Sequence, residues 1–406
     1  MSIRQTFGGS IVKPGFNSLV EPVPIVNYEG LYSWGTNSFG QIGLGNTTNR
    51  SSPVQVGALT NWLQVAGGSY HSVAVKTNGT FWAWGYNAQG QLGQNNTTNR
   101  SSPVQVGALT NWRQTACGLY YTVAVKTDGT LWAWGYNDFG QLGLGNTTNY
   151  SSPKQVGALT NWYSTACGTQ HTIAIKTDGT LWSWGRNNNG QLGLGYTTYR
   201  SSPVQVGALT TWAIIAAGGF FSVAIKTDGT LWSWGNNSQG ALGQNNTTSR
   251  SSPVQVGALT TWASTACGTD QTLAIKTDGT LWSWGLNNRG QLGLGNITYY
   301  SSPKQVGGLT TWASTSSGLY HAVATKTDGT LWSWGANNFG ELGLGNTTDR
   351  SSPVQVGALT NWYSTACGNY FTLAIEATTT YPYTHYTGIW TLPQVNAAVE
   401  AGTWPA

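Results

Sequence analysis

The amino-acid sequence predicts an all-β chain, a seven-bladed β-propeller with four-stranded blades and one composite blade that closes the ring from N- and C-terminal strands. Three observations carry this expectation. A Ser-Ser-Pro-Val-Gln-Val-Gly-Ala-Leu-Thr-Asn-Trp string recurs with small changes from Ser51, Ser101, Ser151, Ser201, Ser251, Ser301 and Ser351, and a Trp-Gly-x-Asn-x-x-Gly string from Trp34, Trp84, Trp134, Trp184, Trp234, Trp284 and Trp334. One supersecondary unit is thus repeated seven times at a period of 50 residues, the signature of a repeat architecture. Each unit also carries strand signals joined by a tight-turn signal, and the first and last copies are incomplete in complementary ways.

The third copy shows the elements in order. Strand A is expected over Trp112–Gly118; its small triplet Ala116-Cys117-Gly118 suits the innermost strand, where seven chains converge on an axis. Strand B follows over Tyr121–Lys126. Thr127-Asp128-Gly129 then supplies the Asp-Gly pair of a two-residue hairpin, because the turn needs positive φ and glycine tolerates it. The equivalent Asp178, Asp228, Asp278 and Asp328 read as turn residues on the same ground. Strand C covers Thr130–Gly135, where Trp132 and Trp134 point to one face and Leu131 and Ala133 to the other. A sheet apolar on both faces must be covered on both, as stacked blades do. Strand D is a short segment, Pro153–Val156. The last copy stops after its strand B, Phe371–Glu376, and the first begins at Glu29-Gly30 with a strand C, Leu31–Gly35, so the two halves complete one blade.

The composition agrees and narrows the function classes. The 406 residues include 55 Gly and 22 Trp but one Met, and 8% are charged, a turn-rich β composition. The net charge of +5 is spread over the repeats, so nucleic-acid binding is not expected. Residues 1–15 hold no apolar segment of the secretory type, and no run approaches the roughly 18–20 apolar residues of a membrane span; a soluble product without a signal peptide or membrane insertion is expected. Cys117, Cys167, Cys267 and Cys367 share one repeat position with Gly67, Ala217 and Ser317, which reads as a requirement for a small side chain. The domain expectation is an N-terminal extension at 1–27, a propeller at 28–377 and a C-terminal extension at 378–406.

The strings Gly168-Thr169-Gln170-His171-Thr172, Asp178-Gly179-Thr180-Leu181-Trp182-Ser183-Trp184-Gly185-Arg186-Asn187 and Gly190-Gln191-Leu192-Gly193 resemble the repeat of the regulator-of-chromosome-condensation propeller family, over about residues 28–376. The best-known member of that family is a nucleotide-exchange factor for a small GTPase that docks on chromatin through an inserted wedge and a charged tail. Neither feature occurs here, so the resemblance implies the fold and not that activity. The flanks, Gly8–Phe16, Gly388–Leu392 and Ala401–Pro405, look like terminal tags of virion proteins from marine and freshwater tailed phages of the cyanophage kind; ordinary extensions packed on the propeller are the alternative.

Comparison of the copies with one another separates two faces. The B–C hairpins and D–A connections are nearly invariant, whereas the A–B turns and the start of the C–D connections vary. The candidate ligand-binding residues lie there: Tyr70, His71, Tyr120, Tyr121, Gln170, His171, Phe220, Phe221, Asp270, Gln271, Tyr320, His321, Tyr370 and Phe371 in the turns, and Tyr86, Tyr136 and Arg186 in the connections. Aromatic and amide side chains on loops over a rigid scaffold give contact area and adaptable hydrogen bonding at low entropic cost. His71, His171 and His321 stand at the first residue of strand B and read equally as structural imidazoles. A second covariation exchanges Arg50, Arg100, Arg200, Arg250 and Arg350 for Tyr150 and Tyr300, with Lys154 and Lys304 four residues on, as if a cation must stay near aromatic or carbonyl groups.

No catalytic, metal-ligating or cofactor-binding constellation emerges. Seven equivalent sites rarely do chemistry, and Gly140-Gln141-Leu142-Gly143-Leu144-Gly145 lacks the Lys-Ser/Thr of a phosphate loop. The functional expectation is a non-enzymatic phage virion protein, a tail-fibre or adhesin tip that recognises a host surface glycan or protein, held to other virion proteins through its extensions. The alternatives are a capsid decoration or other structural virion protein, and a cellular protein-interaction scaffold.

Overall fold

The computed structural model describes residues 25–380. In each copy the alternation of apolar side chains and turn residues folds into one antiparallel sheet of order A-B-C-D, and there are seven such sheets. We number the blades I to VII from the composite one. In blade III strand A is Trp112–Cys117, B Tyr121–Lys126, C Leu131–Gly135 and D Tyr150–Gln155. Registers run Cys117↔Thr122, Val123↔Ala133 and Lys154↔Ala133. Strand D begins earlier than the expected Pro153 because Tyr150 pairs with Gly135 across a bulge that ends at Lys154. Pro153, which has no N–H to give, falls inside that irregular stretch of an edge strand and is tolerated there.

Blade I is assembled from the two ends of the repeat array, in the order D (Arg50–Gln55), C (Ile25–Gly35), B (Phe371–Thr380), A (Trp362–Cys367). Its strands C and B are longer than the sequence pattern suggests, since no hairpin ends them. The propeller forms one compact unit, Tyr28–Ala377. The proposed extensions lie outside the described residues apart from the strand ends at 25–27 and 378–380.

The apolar residues collect at the seams between blades. Seven hydrophobic clusters are present, and each joins two neighbours. At the II–III seam Val73, Val75, Phe81, Ala83, Leu92 and Val106 pack against Trp112, Ala124 and Trp134. The Trp134 indole is fully buried, and its N–H donates to the Gln91 carbonyl of blade II (2.9 Å). Both faces of each sheet are thereby covered, which is what the Leu-Trp-Ala-Trp pattern requires.

Strand A does lie innermost. The ends of the seven A strands line an axial pocket of about 100 Å³ whose walls include all four cysteines, which are free thiols. Burial pushes the Cys167 and Cys367 thiols up to about 12. Small residues are enforced by contact: a methyl group on Gly118 would strike the Tyr121 ring and the Gly168 carbonyl of the next blade.

The two faces follow from the strand directions. On the invariant face the Thr127 N–H of the B–C hairpin donates to the Asn111 carbonyl (2.8 Å), and the Gly129 carbonyl accepts from Trp162 N–H of the next blade (3.0 Å). Gly129 has φ +77°, and a Cβ there would collide with the Thr160 carbonyl. Asp128 Oδ1 accepts from the Thr130 N–H (2.9 Å) and hydroxyl (2.7 Å), and the Thr130 hydroxyl accepts from Trp132 Nε1 (2.9 Å); the same turn recurs at Asp178, Asp228, Asp278 and Asp328. Lys126 Nζ lies 3.8 Å from the Trp132 ring centre and 4.8 Å from Trp112. At the Arg/Tyr exchange Lys154 lies over Tyr150 and Lys304 over Tyr300, each at 5.5 Å, whereas Arg100 and Arg250 donate from Nε to Gln94 (3.1 Å) and Gln244 (3.3 Å) and Arg200 to the Tyr196 hydroxyl (2.9 Å).

Candidate functional site: the varied face

The A–B turn and the C–D connection of a blade meet on the opposite face, where the Tyr136 N–H donates to the Tyr120 carbonyl (2.9 Å) and Tyr86 N–H to Tyr70 (2.9 Å). This pairing sets the second residue of each turn beside the first residue of the connection. Of the seventeen candidate residues, ten are half-buried here: Tyr70, Tyr86, Tyr120, Tyr136, Gln170, Arg186, Phe220, Asp270, Tyr320 and Tyr370.

The other seven are corrected. His71, Tyr121, His171, Phe221, Gln271, His321 and Phe371 have no exposed surface. Each begins strand B and points into the seam, over the glycine that ends strand A, so none can touch a ligand on the face. His71 Nε2 meets the Thr122 hydroxyl of the next blade at 3.0 Å, His171 meets Ser222 at 2.9 Å and His321 meets Thr372 at 3.1 Å. Those hydroxyls spend their own hydrogens on the Gln91, Gln191 and Glu341 carbonyls. The imidazoles must therefore donate from Nε2, which leaves Nδ1 bare and without a hydrogen-bond partner. Burial accordingly drives His71 and His171 down to about 3 and His321 to about 4. Gln271 spans the equivalent seam from blade VI by other partners, donating to the Ser317 hydroxyl and the Gly318 carbonyl, each at 3.0 Å, since blade VII has Ala322 in place of the hydroxyl.

The exposed set forms a run of aromatic rings rather than seven separate spots. Tyr70 and Tyr120 stack at 5.9 Å with a 17° interplanar angle, and Tyr86 lies 5.6 Å from Tyr120. Tyr120 reaches Tyr136 at 6.4 Å, and Tyr136 reaches Phe139 at 6.2 Å. The Arg186 guanidinium continues the run, 5.0 Å from the centres of both Phe139 and Phe220. A second run joins Tyr320, Tyr370 and Phe339. Burial, then neighbouring Tyr70 and Tyr86, raises the Tyr120 phenol, and burial beside Tyr320 and Tyr70 raises Tyr370, so both remain hydroxyl donors at neutral pH. Blade VI interrupts the pattern with Asp270, whose carboxyl is raised by burial, and with the buried Leu286.

Phe39, Phe139, Phe339 and Tyr199 belong to this surface and were missed by the sequence reading. Phe39 sits 4.8 Å from Tyr86, and Phe139 5.7 Å from Tyr199. The signal was available: the position reads Phe39, Gln89, Phe139, Asn189, Gln239, Arg289 and Phe339 across the copies, as varied as the positions chosen. Three equivalent seams between adjacent connections are filled by three chemistries, amide in Gln89–Asn149 (3.1 Å), aromatic in Phe139–Tyr199, and ionic in Arg289–Asp349 (3.4 Å). Among the described residues no group of three or more His, Cys, Asp or Glu is placed to hold a metal ion.

A family model described as the RCC1-like domain matches residues 25–266, and RCC1 repeat models match 278–325 and 328–375. The chain belongs to the RCC1-like family. No curated protein matches this RCC1-like chain. Among solved structures, Prp20p from Saccharomyces cerevisiae is 21% identical with a TM-score of 0.78, covering 94% of this chain and 96% of its own. Yeast RCC1 (Prp20) from a complex with Kap60 is 20% identical with a TM-score of 0.79, covering 98% and 100%. Human WBSCR16 is 20% identical with a TM-score of 0.77, covering 86% and 98%. At these identities the likeness is one of fold.

Proposed function

We propose that this RCC1-like chain is a binding and display protein of a phage virion, a tail-fibre or adhesin tip that recognises a host surface glycan or protein through its varied face. The observation that carries the binding role is the run of half-buried rings from Tyr70 through Tyr120 and Tyr136 to Phe139 and Phe220, on loops that vary while the hairpins and connections of the opposite face stay nearly constant. Aromatic side chains pre-ordered by one another are the anchors of protein recognition surfaces. No catalytic, cofactor or metal role is assigned to any residue. The virion setting is supported by the resemblance of the flanks to phage tags, and the partners there are other virion proteins, reached through 1–27 and 378–406. Capsid decoration is a second virion setting. Family membership favours a further reading, a cellular interaction scaffold, since yeast Prp20p is a protein-binding propeller for Gsp1p and histones.

Two measurements separate these readings. Immunogold labelling of purified particles is expected to mark the tail tip; label over the capsid moves the chain to a decoration role, and label absent from particles leaves the scaffold. Replacing Tyr70, Tyr120, Phe220 and Tyr370 by Ala is expected to weaken adsorption to host cells at least about 100-fold, since each anchor carries on the order of 1–2 kcal/mol. Unchanged adsorption would remove the varied face as the recognition surface.

A further inference from the structure

Arg186 is unlike every other residue at its repeat position, which elsewhere reads Thr36, Tyr86, Tyr136, Asn236, Leu286 and Ala336. It sits where blades III, IV and V meet. The guanidinium lies between two phenyl rings, Phe139 of blade III and Phe220 of blade V, each 5.0 Å from it. Its Nε donates to Asn188 Oδ1 (2.9 Å) and its Nη1 to Gln170 Oε1 (2.6 Å). Two faces and two donors are thus used to fix the group, and the remaining N–H bonds, chiefly those of Nη2, are left to point elsewhere. The one ion pair among the described residues is Arg289–Asp349, so the Arg186 charge has no carboxylate within salt-bridge distance. A guanidinium held by rings and amides, with no carboxylate in direct ion-pair contact, is pre-organised for a planar anion.

The surroundings indicate what carries the anion. Backbone groups beside Arg186 are already paired, its own N–H to the Gln170 carbonyl (2.9 Å) and Thr169 N–H to Gly219 (3.1 Å), so a peptide strand cannot add to them. What remains is a set of side chains: rings of Tyr136, Phe139 and Phe220, amides from Gln170 and Asn188, and, beside Tyr136, the Asp138 carboxylate. Ring faces take sugar C–H groups and amides take sugar hydroxyls. We propose that Arg186 is the carboxylate-recognition point of the varied face and that the ligand is a glycan bearing a uronic-acid type carboxylate, one per propeller. The inference rests on the reading of this face as the recognition surface.

The test uses the full chain with a uronate-containing oligosaccharide, its carboxyl-reduced counterpart, sulfated and phosphorylated analogues, and a poly-glutamate peptide, all in titration calorimetry. The uronate glycan is expected to bind and the carboxyl-reduced one to lose most of its affinity. Arg186→Gln is expected to bind the uronate glycan about 10- to 100-fold more weakly, the loss of one charge-assisted hydrogen-bond pair, with unchanged thermal melting. Arg186→Lys, a point charge without the fork, should recover part of the loss. Equal affinity for the acid and its reduced form, no binding of the uronate glycan, preference for sulfate, phosphate or poly-glutamate, or an unaffected Arg186→Gln protein each overturns the proposal. Host adsorption separates the two levels: loss in the four-residue aromatic variant but not in Arg186→Gln rejects the carboxylate point alone, whereas no loss in either rejects the reading beneath it.

Discussion

A chain ended after Asn369 is expected to show no cooperative unfolding transition. The truncation removes strand B of blade I, Phe371–Thr380, which lies between strands A and C of that blade. Phe371, Leu373 and Ile375 are all fully buried at the seam with blade II, and each contributes roughly 1.5–3 kcal/mol by burial. Their sum is comparable with the whole net stability of a folded protein, about 5–15 kcal/mol. Strand C of the same blade, with Leu31 and Trp34, would keep strand D but lose strand B, and the ring would open along its entire height. Leu373→Ala deletes part of the same contact and should cost about 2–5 kcal/mol with cooperativity kept. Near-ultraviolet circular dichroism on heating reads both; a truncated chain that melts sharply within a few degrees of the parent contradicts the closure described.

Acid is expected to weaken the ring between about pH 6.5 and pH 4, and the three seam imidazoles are the cause. Their folded values lie at about 3 for His71 and His171 and about 4 for His321, below the ordinary 6.5 of an unfolded chain. In that window the unfolded state binds protons that the native state refuses, so stability falls as pH falls. At pH 5 each imidazole costs on the order of 2 kcal/mol relative to neutral pH. The physical reason is local: Nε2 already donates to the next blade, and a proton on Nδ1 would bury a charge and an N–H with no acceptor. Blade VI supplies the natural control, because Gln271 bridges the equivalent seam without titrating. The combined His71→Gln, His171→Gln and His321→Gln protein should lose the acid slope of its melting temperature while retaining most of its stability at pH 7. A slope unchanged in that variant would place the acid sensitivity elsewhere.

The fold was legible because its determinants are local and repeated. The Asp-Gly turn, the Leu-Trp-Ala-Trp strand and the small triplet at the axis each answer one physical demand, and seven copies make the pattern unmistakable. Strand D was placed three residues late at its start, since Ser-Ser-Pro reads as a turn and a bulged edge strand leaves no alternation to find. The site was legible in part. Repeat-to-repeat variation singled out one face, but it did not tell an exposed position from a buried one that varies to suit its neighbour. Tyr121 and Phe221 differ because the seam accepts any ring that covers Gly118 or Gly218, and His71 differs because it finds a hydroxyl on the next blade. Depth across a seam is a property of two blades at once, invisible within a single repeat. Phe139 and Arg186 were separately readable as varied residues, while their contact joins residues 47 positions apart in different blades.

The proposed recognition surface is the varied face and not the constant one. Binding of the purified chain to host envelopes distinguishes the two, comparing the Tyr70, Tyr120, Phe220 and Tyr370 to Ala protein with one carrying Ser at Leu109, Leu159, Leu209 and Leu259. Those leucines are 47–49% exposed on the invariant loops, so both sets remove apolar surface from opposite faces. Binding is expected to be lost in the aromatic variant and kept in the leucine variant. Binding kept in the first and lost in the second would contradict that assignment.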